Sequence, residues 1–254
     1  MLVLISPSKT MNAHTEYQQS EPTWPVFGKE ADNLVKLLRK MDLEEISTFL
    51  KVSPTIGALN YQRYQNFSKN IKDGALHPAA LSYSGEVYTG LNADQWDEKV
   101  FDDAQHNLRI LSGLYGYLRP KDLIQPYRLE MAAKLCIANH TNLYQFWRQK
   151  ITTAIQLDLT EKKDPIIFNL ASDEYSKAID SKSIKASFIT FEFYEMRQGV
   201  KTFVSFSAKR ARGLMANYII SQQLETIQAV KEFDVEGYQF DAQNSSESNL
   251  VFIK

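Results

Sequence analysis

The sequence predicts a mixed α/β fold of the α+β kind in one domain spanning 1–254, and three observations carry that expectation. Two short runs that are almost wholly apolar, residues 2–5 (LVLI) and 166–170 (IIFNL), each give way to polar loop residues in the manner of buried strands. Segments with helical spacing lie between and after them, without the regular strand–helix alternation of a doubly wound sheet. The chain shows no internal repeat, low-complexity linker or break in composition along its 254 residues.

Taken in order, residues 2–5 form a buried strand ending at Ser6 and Pro7. A helix is predicted over 29–41, where Leu34, Leu37, Leu38 and Met41 recur at helical spacing. Two short helices follow around 53–57, with Pro54 and Gly57 supplying the break between them. Residues 81–91 (LSYSGEVYTGL) read as a strand with bends at Gly85 and Gly90. An amphipathic helix covers 97–110, and two more are expected over 122–131 and 143–157. Residues 166–170 feed a short helix that Ser172 is placed to cap, with Asp173 and Glu174 in its first turn. A hairpin follows: Ile189, Phe191 and Phe193 share a face of its first strand, the bend falls at Gln198 and Gly199, and Val200, Val204 and Phe206 populate the second strand. From Ser207 the period becomes helical, with Ala211, Leu214, Met215, Tyr218 and Ile219 on one side, and the chain ends in an edge strand over 250–254.

Composition narrows the function classes. A net charge of −1 excludes a polycation that coats nucleic acid indiscriminately. That total conceals asymmetry: eight basic residues face three acidic ones between Lys177 and Arg212, and six acidic face two basic from Glu225 to Lys254. The amino terminus lacks the form of a signal peptide, and no run approaches the roughly 20 apolar residues of a membrane span, so a cytoplasmic, non-membrane protein is expected. The single cysteine, Cys136, occupies a place where a small buried apolar residue would serve, and forms no internal disulfide. His14, His77, His106 and His140 are scattered, with no CxxC, HExxH or GxSxG motif, so neither metal nor cofactor is expected and no enzyme class is declared.

Four segments carry candidate chemistry. In 111–131 (LSGLYGYLRPKDLIQPYRLEM), Gly113 and Gly116 lie between two expected helices, with Arg119, Lys121 and Arg128 nearby. The arrangement is either a structural turn or a hairpin whose backbone amides approach a phosphate. In 207–213 (SAKRARG), Lys209, Arg210 and Arg212 fan out at a helix start, where the dipole disfavours cations; they form either a solvated basic face or a phosphate contact. Lys9 follows the first strand beside the hydroxyls of Ser6, Ser8 and Thr10, a setting for an anion at a strand's carboxyl end. Asn169, Ser172 and Glu174 follow the second buried strand, where helix capping or a polar site would each account for them.

Together LISPSKTMN, GEVYTGL, LSGLYGYLRPKDLIQPYRLEM, LYQFW, NLASDEY, SFSAKRARGLMANYII and EGYQFD resemble the YaaA family of bacterial peroxide-stress proteins, in the family's order and across the chain. Ser8 stands where that family usually has alanine. The resemblance implies a compact domain of unusual topology with a central mixed sheet, a positively charged cleft, and a helix-hairpin-helix element on 108–128 or 46–64. It also implies a monomer that binds DNA, duplex or branched, without strong sequence preference and limits oxidative, iron-dependent damage under hydrogen peroxide. The cations lying in matched blocks are Lys9, Arg119, Lys121, Arg128, Lys209, Arg210 and Arg212. An alternative is an enzyme acting on a nucleotide or damaged nucleic acid in the same cleft, with Lys9 or Glu174 beside the anion.

Overall fold

The first strand, β1 (Leu2–Ile5), is buried along its whole length, as expected of an apolar run with no polar face to offer water. The computed structural model describes residues 1–12, 23–67 and 76–254, so His14 lies outside the described residues. Beyond β1 come the two-residue β2 (Thr10–Met11) and α1 (Gly28–Leu38), whose Ala31, Leu34, Val35 and Leu38 form its buried stripe. In α2 (Leu43–Leu50) Asp42 and Glu45 cap each other reciprocally. Then α3 (Pro54–Asn66) starts with Ser53 as cap and Pro54 in its first turn. The helix break expected at 54–57 therefore lies at 51–53, where Lys51 adopts a left-handed conformation (φ 52°). Gly57 sits inside α3, where a Cβ would collide with Ser47 of α2.

The strand expected over 81–91 is replaced by short pieces: β3 (His77–Pro78), α4 (Ala79–Ser82), β4 (Tyr83–Ser84) and α5 (Glu86–Leu91). Helix α6 (Glu98–Asn107) is capped by Asp97 and stops three residues short of its expected end. Residues 108–112 instead extend as β5 (Leu108–Ser112), followed by β6 (Gly116–Leu118) and β7 (Leu123–Ile124). A helical stripe and a buried strand look alike over so short an apolar run. Here the ladder to β1, with Val3 opposite Leu108 and Ile5 opposite Ile110, decides for strand. Residues 108–118 are thus a β-hairpin, which removes the helix-hairpin-helix expected over 108–128, and 122–131 form no helix.

The remainder follows the sequence more closely. Helix α7 (Leu143–Leu159) is capped by Asn142, and β8 (Ile166–Asn169) leads into the single turn α8 (Asp173–Ser176). Strands β9 (Ser187–Arg197) and β10 (Val200–Thr202) form the expected hairpin, with positive φ at Gln198 and Gly199 as a two-residue turn requires. The helix α9 (Ser205–Ser221) begins earlier than expected, taking in Phe206, and α10 (Ile227–Val230), β11 (Gln239–Phe240) and β12 (Asn249–Ile253) complete the chain. Cys136 is exposed rather than buried, between the inward-facing Leu135 and Ile137.

One eight-stranded mixed sheet organises this α/β domain, in the order β11-β12-β9-β8-β1-β5-β6 with β10 paired to β9. The five strands from β12 to β5 run parallel; β6, β10 and β11 are antiparallel additions. Strand β12 is covered on both sides by β11 and β9, so it is an internal strand and not the expected edge. From β1 the chain's next partner in the sheet is β5 on one side, whereas β8 lies on the other side and leads outward to β9. The connections leaving β1 and β8 therefore run to opposite sides of the sheet, which places a crevice at the carboxyl ends of these adjacent strands.

Candidate functional site

A cavity of about 510 Å³ occupies that position. The loop after β1 contributes Ser6, Pro7, Ser8 and Lys9, and the segment after β8 contributes Leu170, Ser172, Glu174 and Tyr175. The start of α5 brings Gly85, Glu86 and Val87, and α9 brings Ser205, Phe206, Lys209 and Arg212. Four segments far apart in sequence thus meet where parallel sheets commonly place their ligands.

The crevice floor is held by short polar links. Ser172 N–H donates to Ser6 Oγ at 2.9 Å, and Ser6 Oγ donates to Ser172 Oγ at 3.2 Å, so the loops following β1 and β8 are clasped together. Ser172 occupies the cap position of α8 but makes no capping bond with its side chain, contrary to its expected role. Tyr88 Oη donates to the Ser6 carbonyl at 3.0 Å and ties α5 to the same loop. Glu174 accepts the Ala132 amide at 3.3 Å.

Cations on the walls differ in how committed they are to the protein itself. Lys9 is exposed (63% of its side chain), with Glu130 at 3.6 Å, and Lys209 is exposed on α9. Arg212 is half-buried, and its Nε is shielded from solvent without a hydrogen-bond partner among the described residues. Burial holds its guanidinium below the ordinary value, with Asp173 and Glu192 pulling in the opposite direction. A buried donor without an acceptor costs free energy, which an anion seated in the cavity would recover. The first turn of α9 follows Val204, which has no side chain to cap the helix amides.

The other candidates lie elsewhere, and the structure corrects their placement. Lys121 is 6% exposed and pairs with Asp102. Arg119 donates from Nε and Nη2 to the fully buried Asp122 and from Nη2 to the Trp24 carbonyl at 3.0 Å. Arg210 is joined to Glu236, with Nη2 to Oε1 at 2.6 Å. Arg128 binds Glu130 at 3.0 Å and borders a smaller recess that shares Pro7, Ser8, Lys9 and Tyr175 with the cavity. Gly113 and Gly116 are buried: a Cβ on the first would strike the Leu129 backbone, and on the second, at φ 69°, the Trp147 ring. Their hairpin is filled by the protein's own atoms and presents no amides to a phosphate. Thr10 pairs with Ser84 in a separate two-stranded ladder, and Asn169 Oδ1 accepts the Ala171 amide at 3.2 Å; neither lines the cavity.

Of the sequence candidates, Ser6, Lys9, Ser172, Glu174, Lys209 and Arg212 are brought together. Glu86, Val87 and Phe206 were not anticipated. Phe206 carried a signal in being an aromatic residue between two serines just before a basic helical run, but its alternation with Val204 suggested a strand.

The sequence pattern of the family described as peroxide stress protein YaaA matches residues 1–244. The chain belongs to this family. Similar chains carry the name UPF0246 protein: one from Legionella pneumophila is 40% identical over 255 residues, covering 100% of this chain and 99% of its own. Another from Shewanella sediminis is 42% identical over 252 residues, covering 99% and 98%. Among the described residues of this YaaA-family chain no group of three His, Cys, Asp or Glu side chains is placed to hold a metal ion, and no helix is long and apolar enough to cross a membrane.

Proposed function

We propose that this chain serves the peroxide stress response by binding nucleic-acid phosphates at the β1–β8 crevice, without reading base sequence, and so limits iron-dependent oxidative damage to DNA in the cytoplasm. The observation that carries this reading is the convergence of Lys9, Lys209 and Arg212 on one cavity, with Arg212 Nε left without an acceptor among the described residues. Phosphate contacts position a protein but carry no base information, which accords with recognition of DNA irrespective of sequence. Arg119, Lys121 and Arg210 are spent on internal carboxylates and take no part. Within this reading the family's helix-hairpin-helix falls on 46–64, where α2 and α3 meet at 51–53, and the chain acts as a monomer.

Binding to a labelled random-sequence DNA, followed by fluorescence anisotropy over a salt series, tests the proposal. Affinity is expected to fall linearly on a log–log plot, and Lys209→Ala to reduce the slope by about one phosphate's worth. Lys121→Ala should leave the slope unchanged. Salt-independent binding, or an unaltered slope in Lys209→Ala, overturns it.

A second reading, an enzyme acting on a nucleotide or damaged nucleic acid, draws on the presence of Glu174 and the Ser6–Ser172 hydroxyl pair in the same cavity as the cations. It requires a chemically altered nucleotide after incubation with the protein, lost in Glu174→Gln.

A further inference from the structure

The cavity has an apolar side that phosphate binding alone does not use. Phe206, in the first turn of α9, lines it while remaining 63% exposed, so its ring is open to an apolar or aromatic partner in the cavity. Val87 and Leu170 line the same space, and Lys209 and Arg212 follow Phe206 on α9. An exposed aromatic ring beside cations is the arrangement by which proteins hold single nucleotides, the ring taking the base face and the cations the phosphate.

Size and charge narrow the class further. A volume of about 510 Å³ lies within the roughly 300–1,000 Å³ range of small-molecule sites, a size that suits a single nucleotide. Glu86 and Glu174 share the lining with Lys9, Lys209 and Arg212, so the cations exceed the carboxylates by one. Such a balance suits one phosphate and opposes a polyphosphate.

Building on the phosphate-binding reading of this site, we infer that the crevice takes one nucleotide unit at a time, its phosphate at Lys209 and Arg212 and its base on Phe206. The unit is either a free nucleoside monophosphate or an unpaired nucleotide within a strand. Base stacking is tolerant of base identity, so this selection for unpaired bases coexists with indifference to sequence.

The test compares a labelled single-stranded oligonucleotide with an abasic oligomer of equal length, by anisotropy at fixed low salt. The wild-type chain is expected to bind the base-bearing strand about tenfold more tightly, the lower part of the range for one stacked base. Phe206→Ala should erase that preference while retaining the salt slope; its ring is exposed, so the substitution spares the core. Lys209→Ala combined with Arg212→Gln should weaken both probes. Competition by a deoxynucleoside monophosphate assigns the site to free nucleotides, and displacement by the unlabelled strand alone assigns it to nucleotides within a strand. Equal affinity of the wild-type chain for the two probes, or a preference intact in Phe206→Ala, overturns the inference while leaving phosphate binding standing. Absence of salt-dependent binding to either probe overturns both.

Discussion

Arg109 illustrates how a cation is assigned to the protein or to a ligand. It is 4% exposed on β5, and its Nε donates to Asp158 Oδ2 at 2.7 Å, while the Tyr117 hydroxyl donates to the same oxygen at 2.7 Å. The Tyr117 phenol is held well above its ordinary pKa, chiefly by burial. Asp158→Ala would leave a buried guanidinium without its countercharge. Because Asp158 is partly exposed, roughly 2–3 kcal/mol of destabilisation is expected, less than for breaking a fully buried pair, read from the shift in a urea midpoint. Arg212 presents a contrasting case, with a shielded Nε that has no acceptor among the described residues. Sequence spacing does not distinguish the two, since each is an arginine within an apolar pattern; the difference lies in whether a carboxylate from another element comes close enough to accept from Nε. For the same reason Lys121 and Lys209 were indistinguishable as candidates, yet Asp102 claims the first.

Among the elements, α5 and α9 approach most intimately at Gly90 and Gly213. A Cβ at 213 would strike the Val87 carbonyl oxygen, and one at 90 would strike the Arg210 carbonyl oxygen. Close approach of two helix backbones is the role these glycines fill. Since α5 carries Glu86 and Val87, and α9 carries Phe206, Lys209 and Arg212, the same contact sets the width of the crevice. Gly213→Ala is expected to cost roughly 1–3 kcal/mol through overpacking and to weaken nucleic-acid binding together with it. Thermal unfolding and anisotropy on the same preparation check this; normal binding with normal stability would show that the helices can part without consequence. Elements with a strong local signal were legible: LVLI, IIFN, the Gln198–Gly199 hairpin and α7 all rest on short-range preferences. Elements decided by a distant partner were not. The run over 108–112 satisfies a helix and a strand equally, and β1 supplies the ladder that selects strand. The turn-rich 81–91 segment offers aromatic and β-branched residues suited to a strand, but no sheet edge lies beside most of it.

At the scale of the whole molecule, a set of buried tyrosines joins the small sheets to the central one. Tyr127 Oη shares hydrogen bonds with Ser112 Oγ (2.6 Å) and Tyr83 Oη (2.7 Å), and Tyr115 Oη accepts the Gln125 amide at 3.0 Å. Burial, the leading cause in each case, pushes Tyr127 up to about 12 and holds Tyr83, Tyr88 and Tyr115 well above the ordinary tyrosine range. A phenol pKa near 10 in the unfolded chain and higher in the folded one means that the folded state retains protons the unfolded state releases. This contribution to stability is therefore complete below about pH 10 and is lost as pH rises toward 12. Tyrosinate absorbance should show an exposed class titrating first and a buried class appearing with unfolding; a single class near 10 would contradict it.

What the sequence by itself determined is the material of the fold and the family: the buried strands, the main helices, and the motif blocks that mark a YaaA-family chain. Those features depend on local periodicity, capping and turn chemistry, which neighbouring residues settle among themselves. Only the tertiary structure decided the site. The parallel ladders of β1 with β5 and β8 send the two onward connections to opposite sides of the sheet, and the close contact of α5 with α9 carries Phe206, Lys209 and Arg212 to the opening. Whether a cation meets a carboxylate or an open crevice depends on how the elements pack: Asp102 reaches Lys121 and Glu236 reaches Arg210 from other elements, and the local pattern around each cation holds no record of them.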